Sequence, residues 1–208
     1  MPHQNRVTPF SIIEAVAARG TLMGNRGILH DERGILGIAR WRHPHWVTCL
    51  LDFKSRWRPV LQPHAYTELF FLDEATAFAA GHRPCAECRR PDYLRFLDAW
   101  AKATGLADRA RLRAVDVDRI MHGERIREGS RSQATFRANL ADLPDGTFMR
   151  VSDEAWVVAG SRILRWSHAG YDLDRRQTPM DVEVLTPRPS VAVFRAGYRP
   201  MLHPSAAR

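Results

Sequence analysis

Apolar and polar residues alternate in short runs through the first seventy positions, take up a helical rhythm in the middle, and return to alternation beyond residue 143. Residues 9–18 read as a short helix, with Thr8 as its N-cap and Gly20 ending it. Residues 27–30 and 35–41 predict two strands joined through Asp31-Glu32-Arg33-Gly34, a turn with glycine at its exit. Residues 46–53 predict a third strand, with Val47, Cys49, Leu51 and Phe53 on one face by period-two alternation. Residues 66–72 predict a fourth. Asp73 then caps a short helix over residues 74–80, closed by Gly81.

Pro91 suits the first position of the next helix, whose apolar stripe is Tyr93, Leu94, Leu97 and Trp100 and whose stop is Gly105. Residues 116–126 and 132–140 predict two more helices. Residues 147–151, 155–159 and 163–167 read as strands, the last two joined by the two-residue turn Gly160-Ser161. Residues 181–185 add another strand, and Pro187 and Pro189 lead into a short helix over residues 190–196. The tail from residue 200 reads as loose. The fold class is therefore α+β: a mixed unit over residues 1–128 and a small β-rich unit over residues 144–200, with the break near residues 128–144.

Composition narrows the class. Of the 208 residues, 45% are hydrophobic and 26% charged, as in ordinary globular chains. No apolar run approaches the ~20 residues of a membrane span, and the N-terminal segment does not read as a secretory signal. Three cysteines, two of them in one Cys-x-x-Cys, make no disulfide framework. They fit a reduced, cytoplasmic setting with thiols free for metal. The net charge of +8 favours a polyanionic partner, DNA or RNA, although Lys54 and Lys102 are the only lysines and an arginine bias also follows from a G+C-rich genome.

The densest chemistry lies in Gly81-His82-Arg83-Pro84-Cys85-Ala86-Glu87-Cys88. A Cys-x-x-Cys turn brings two sulfurs to within ~2.3 Å of one ion, and soft tetrahedral sulfur sites favour zinc, Zn(2+), over magnesium or calcium. Cys85 and Cys88 supply two ligands, and Cys49 is the sole remaining cysteine. His30 and His64 are the candidates for a fourth ligand, and His82 lies within the turn itself.

The longer pattern is Phe70-Phe71, then Glu74-Ala75, Ala79-Ala80-Gly81 and Arg83-Pro84-Cys85-x-x-Cys88. It resembles the N-terminal zinc domain of the bacterial Ada methyl-phosphotriester repair protein and related small zinc modules appended to nucleases. The resemblance covers residues 66–90. It implies a four-ligand structural zinc, with the first two ligands on or after an upstream strand, and a role in DNA repair or processing. The chain departs from the family in having only Cys49 upstream, with Phe53 where a second cysteine would fall. That argues against the family's methyl-acceptor chemistry, which uses an upstream cysteine.

Arg42 and its neighbours in Trp41-Arg42-His43-Pro44-His45-Trp46, together with Lys54, Arg56 and Arg58 around Trp57, interleave cations with aromatics. Such segments pair phosphate contacts with base stacking. Arg83, Arg89 and Arg90 extend this basic set beside the zinc turn. A rival reading is a metal-dependent hydrolase or nuclease with a site between the two halves, using His122, Glu124 or His30, with Asp116 and Asp118 upstream of His122. A third is a protein-interaction module without chemistry. No Gly-x-Gly-x-x-Gly or Walker-type loop is present, so nucleotide cradling has no support.

Overall fold

The computed structural model describes residues 1–55, 59–106, 108–176 and 180–207. The fold is α+β, as the patterning predicts. Two six-stranded sheets are present among these residues. The first is mixed and runs in the order β2-β1-β5-β3-β4-β6, from β1 (Gln4–Val7), β2 (Ile13–Ala15), β3 (Leu22–Asn25), β4 (Val47–Leu50), β5 (Leu69–Phe71) and β6 (Arg83–Pro84). Pairs β1–β5 and β4–β6 are parallel. The second sheet is antiparallel, β11-β10-β9-β8-β12-β7, from β7 (Phe136–Asn139), β8 (Phe148–Val151), β9 (Glu154–Ala159), β10 (Arg162–Ser167), β11 (Gly170–Arg176) and β12 (Asp181–Val184).

Among the described residues four α-helices accompany the sheets: α1 (Glu74–Ala79), α2 (Arg90–Thr104), α3 (Ala114–Arg125) and α4 (Arg188–Arg195). Helix α1 is short but every residue in it is buried. Asp73 caps it, accepting from the Thr76 N–H at 2.8 Å and the Thr76 hydroxyl at 2.7 Å. Its faces feed three apolar clusters. Ala77 and Ala80 meet Val7 and Phe71 of the first sheet; Ala75 and Ala79 meet Phe148, Val157 and Leu164 of the second; Phe78 meets Phe96 and Phe194 of α2 and α4. Both sheets thus pack against one six-residue helix, the one that leads into the cysteine turn.

Helix α2 opens with Pro91 in its first turn and ends at Gly105, whose φ of 67° is the left-handed C-cap. Its buried face includes Tyr93, Phe96, Leu97 and Trp100, with Phe96 inward where Leu94 was expected.

Several segments depart from the sequence reading. Residues 9–18 form a hairpin into β2 rather than a helix. Thr8 does bond a backbone N–H, that of Ile12 at 3.3 Å, but in a turn that pairs β1 with β2. Ser11 at φ 61° is incompatible with helix, and β-branched Ile12 and Ile13 suit the strand. Residues 27–41 contribute one isolated bridge, His30 to Leu36, although the Asp31–Gly34 turn forms as predicted. Residues 132–140 hold β7, not a helix, because pairing along β12 outweighs local propensity. Strand β11 escaped prediction. It is a charged edge strand tied to β10 by Arg165–Asp172 and Arg162–Asp174 pairs. The tail is not loose: Pro204–Ala207 form a 3₁₀ turn, and residues 201–203 anchor on Asp73 and Glu74.

Candidate metal centre

Strand β4 carries Cys49, and β6 leads directly into Cys85. The two strands run parallel, with Val47 beside Arg83 and Thr48 beside Pro84. The Cys85 N–H donates to the Thr48 carbonyl at 2.9 Å, so the next position along the register sets Cys49 beside Cys85. The alternation places Thr48 in the core and Cys49 on the opposite, half-exposed face, and the strand ends at Leu50. Leu51 and Phe53 therefore do not continue the predicted face. After Cys85 the chain turns sharply. The Glu87 N–H points at Cys85 Sγ from 3.4 Å, and the Arg89 N–H closes onto the Cys85 carbonyl at 3.2 Å as α2 begins.

The result is a group of three sulfurs, Cys49, Cys85 and Cys88, all within 4.8 Å of one another and all half-buried. A tetrahedral ion with ~2.3 Å metal–sulfur bonds asks for sulfur separations of about 3.8 Å, so contraction by an ångström or less closes the trio around one ion. The thiols influence one another strongly. The Cys49 side chain hydrogen-bonds to Cys85 and holds the Cys85 thiol below its ordinary range, while that bond and burial push Cys49 far up. Burial and the neighbouring Cys85 charge raise Cys88. Three thiolates repel at this distance, and a bound divalent cation removes that conflict. The donor set can hold a metal ion and fits zinc.

Among the described residues no histidine nitrogen or carboxylate joins this group. Both ring nitrogens of His30 are engaged elsewhere, with the Thr67 hydroxyl at 2.6 Å and the Gln62 carbonyl at 3.1 Å. His64 is exposed on the loop before β5. His82 is fully buried between Phe71 and Trp46, and its Nε2 accepts from Arg26 at 3.3 Å.

The basic residues divide. Arg83 is buried and holds Asp118 with two bonds of 2.6 and 2.7 Å; Arg89 is buried against Glu74 at 2.6 Å and also bonds Asp92 and Thr48. Neither guanidinium is available to an outside phosphate. Arg42, Lys54 and Arg90 are exposed, and Lys54 lies 4.0 Å from Glu87 within the cysteine turn. Arg56 and Arg58 lie outside the described residues.

The acid/base set is not assembled. His122 accepts from Arg125 through Nδ1 at 2.8 Å and packs edge-on to Trp41 and Trp46. Burial and Arg125 hold its pKa down at about 4. Glu124 points to solvent, Asp116 pairs with Arg113 on the surface, and Asp118 is consumed by Arg83 and His45. Sequence reading passed over Arg26 and Arg125, two buried arginines that flank Trp46; no local motif marks them, because Trp46 and, His122 apart, their hydrogen-bond partners are remote in the chain. Comparison with family models, with curated proteins and with solved structures finds no match to this chain.

Proposed function

We propose that this chain is a zinc protein whose single structural ion, held by Cys49, Cys85 and Cys88, braces a basic surface that engages nucleic acid as an accessory of DNA repair or processing. The convergence of Cys49 on the Cys-x-x-Cys turn carries the metal half of the reading, since three half-buried thiols crowded at the end of two parallel strands match the donor set of a shared tetrahedral ion. Zinc there would neutralise the thiolates and pin β4 to the start of α2. The nucleic-acid half rests on the Ada-like pattern of residues 66–90, the net charge of +8, and the exposed Lys54 and Arg90 on either side of the turn.

Elemental analysis of protein purified without added metal tests the first half. Near-stoichiometric zinc is expected, and a metal-free, fully folded protein overturns it. Fluorescence anisotropy with labelled single- and double-stranded oligonucleotides tests the second. Affinity should fall with salt at a log–log slope of roughly −0.7 to −0.9 per phosphate neutralised. Binding no tighter than that of an unrelated protein of equal charge rejects it. Incubating the same samples with magnesium or manganese examines the hydrolase alternative: cleavage lost in His122→Ala or Glu124→Ala would replace the accessory role with an enzymatic one.

A further inference from the structure

Away from the cysteines, a small pocket is lined by four arginines, Arg26, Arg40, Arg125 and Arg131, together with Ser11 and Ser132, and among the described residues no carboxylate lines it. Arg26 and Arg125 are only 1% and 2% exposed. Their hydrogen bonds go to neutral acceptors. Arg26 donates to His82 Nε2 at 3.3 Å, Ser11 Oγ at 3.0 Å and the Ala80 carbonyl at 3.2 Å. Arg125 donates to the Gly81 and Pro44 carbonyls at 2.7 and 2.6 Å and to His122 Nδ1. Its buried Nε has no partner among the described residues. Asp118, the carboxylate whose field reaches Arg125, already has both oxygens bound by Arg83 and one also by His45.

Both guanidinium groups stand over the Trp46 ring, at 4.1 and 3.7 Å from its centroid, which removes water from one side of each. Two buried cations without a counter-ion form an arrangement that folded chains seldom keep, because desolvation is not offset. Burial and the Arg40 charge hold Arg26 down at about 9, and burial and Arg26 lower Arg125 as well. A bound anion would reverse both effects.

We propose that this pocket is an oxyanion site that takes a phosphate group, with Arg26 and Arg125 at its floor and the more exposed Arg40 and Arg131 at its mouth. The pocket's free volume is about 10 Å³, room for one water-sized group. One phosphate oxygen therefore enters toward Arg26 and Arg125, and the remaining oxygens rest against the mouth. Guanidinium forks match phosphate geometry, and a phosphate dianion balances more of the four charges than a carboxylate does. The phosphate is either free or the end of a nucleic-acid strand, and the site stands whether or not the surface around the cysteines binds nucleic acid.

The test titrates inorganic phosphate into the full chain, as purified with its metal, at constant ionic strength, with chloride and acetate as controls. Calorimetry should show one saturable site, and thermal denaturation should show a rise in Tm that chloride and acetate do not give. Arg40→Ala and Arg131→Ala alter half-buried and exposed side chains, so both should keep the native circular dichroism and each should weaken phosphate binding about five-fold or more, as for one lost charge-assisted contact. Absence of saturable binding, an equal response to acetate, or unchanged affinity in both variants overturns the proposal. A 5′-phosphorylated oligonucleotide that binds more tightly than its 5′-hydroxyl twin identifies a strand end as the source. Equal binding of the two, with inorganic phosphate still bound, identifies free phosphate.

Discussion

Gly81 carries two demands at once. Its φ is +83°, and a Cβ there would stand 2.5 Å from Cδ of Arg125, whose side chain crosses it to reach the Gly81 carbonyl. Gly81→Ala should therefore lower unfolding stability by about 2 kcal/mol or more, read from the urea midpoint, because both left-handed strain and a displaced buried arginine follow. The sequence reading anticipated this glycine as a helix stop but not the arginine that overlies it. Cys49 was legible because no other cysteine remained, and the parallel β4–β6 register supplies its physical reason. Cobalt substitution should give a thiolate-to-metal charge-transfer band for three sulfurs, reduced by about a third in Cys49→Ala; an unchanged band removes Cys49 from the site. Cys85→Ser should lose the metal and several kcal/mol of stability, since metal binding and folding are coupled at such sites. Arg83 and Arg89 were misread as surface cations. Their buried carboxylate partners, Asp118 and Glu74, lie 35 and 15 residues away, and an Arg-Pro or Arg-Arg dipeptide carries no mark of them.

Among the elements, α1 matters most for its size. Its first residue, Glu74, is buried yet accepts from Arg89 at 2.6 Å, from the Tyr198 hydroxyl at 2.6 Å and from the Met201 N–H at 2.9 Å. Asp73 likewise accepts from the Tyr171 hydroxyl at 2.6 Å and the His203 N–H at 2.9 Å, while capping the helix. Tyr198→Phe should cost about 1–2 kcal/mol in denaturant unfolding, the loss of one buried charged hydrogen bond. Asp73→Ala should cost more, since it removes the cap and orphans the Tyr171 hydroxyl. Elements with their own start and stop signals, α1, α2 and the β9–β10 hairpin, could be read from the chain. Residues 9–18 and 132–140 could not, because their pairing partners decide the conformation and periodicity cannot report a partner.

At the scale of the molecule, the interior holds histidines that must stay neutral. A guanidinium only donates, so His82 Nε2 and His122 Nδ1, each facing an arginine, are acceptors and their rings are uncharged. Burial and then the Arg26 charge depress His82 well below its ordinary pKa. In the unfolded chain it takes up a proton below about pH 6.5, and in the folded chain it does not. Stability should therefore be greatest above about pH 7 and fall as pH drops through 6.5, by about 1.4 kcal/mol per pH unit for this one residue. Urea midpoints at pH 8, 6.5 and 5.5 with saturating zinc measure the slope. His82→Gln, which keeps an acceptor for Arg26, should flatten it, and an undiminished slope would mean that other groups dominate.

The anchoring of residues 201–203 onto the start of α1 also sets a clock on synthesis. The bonded groups are separated by 127 and 130 residues of chain. At roughly 5–20 residues per second, a ribosome delivers the second partner roughly 6–26 s after the first. Through most of that interval the cysteine turn has been translated while Asp73 and Glu74 behind it still lack the tail, and Tyr171 and Tyr198 follow only 98 and 124 residues after their partners. The nascent thiols therefore face oxidants and competing metals before their supporting helix is locked, and stalled chains ending near residue 195 should react with a thiol-specific reagent much faster than released protein.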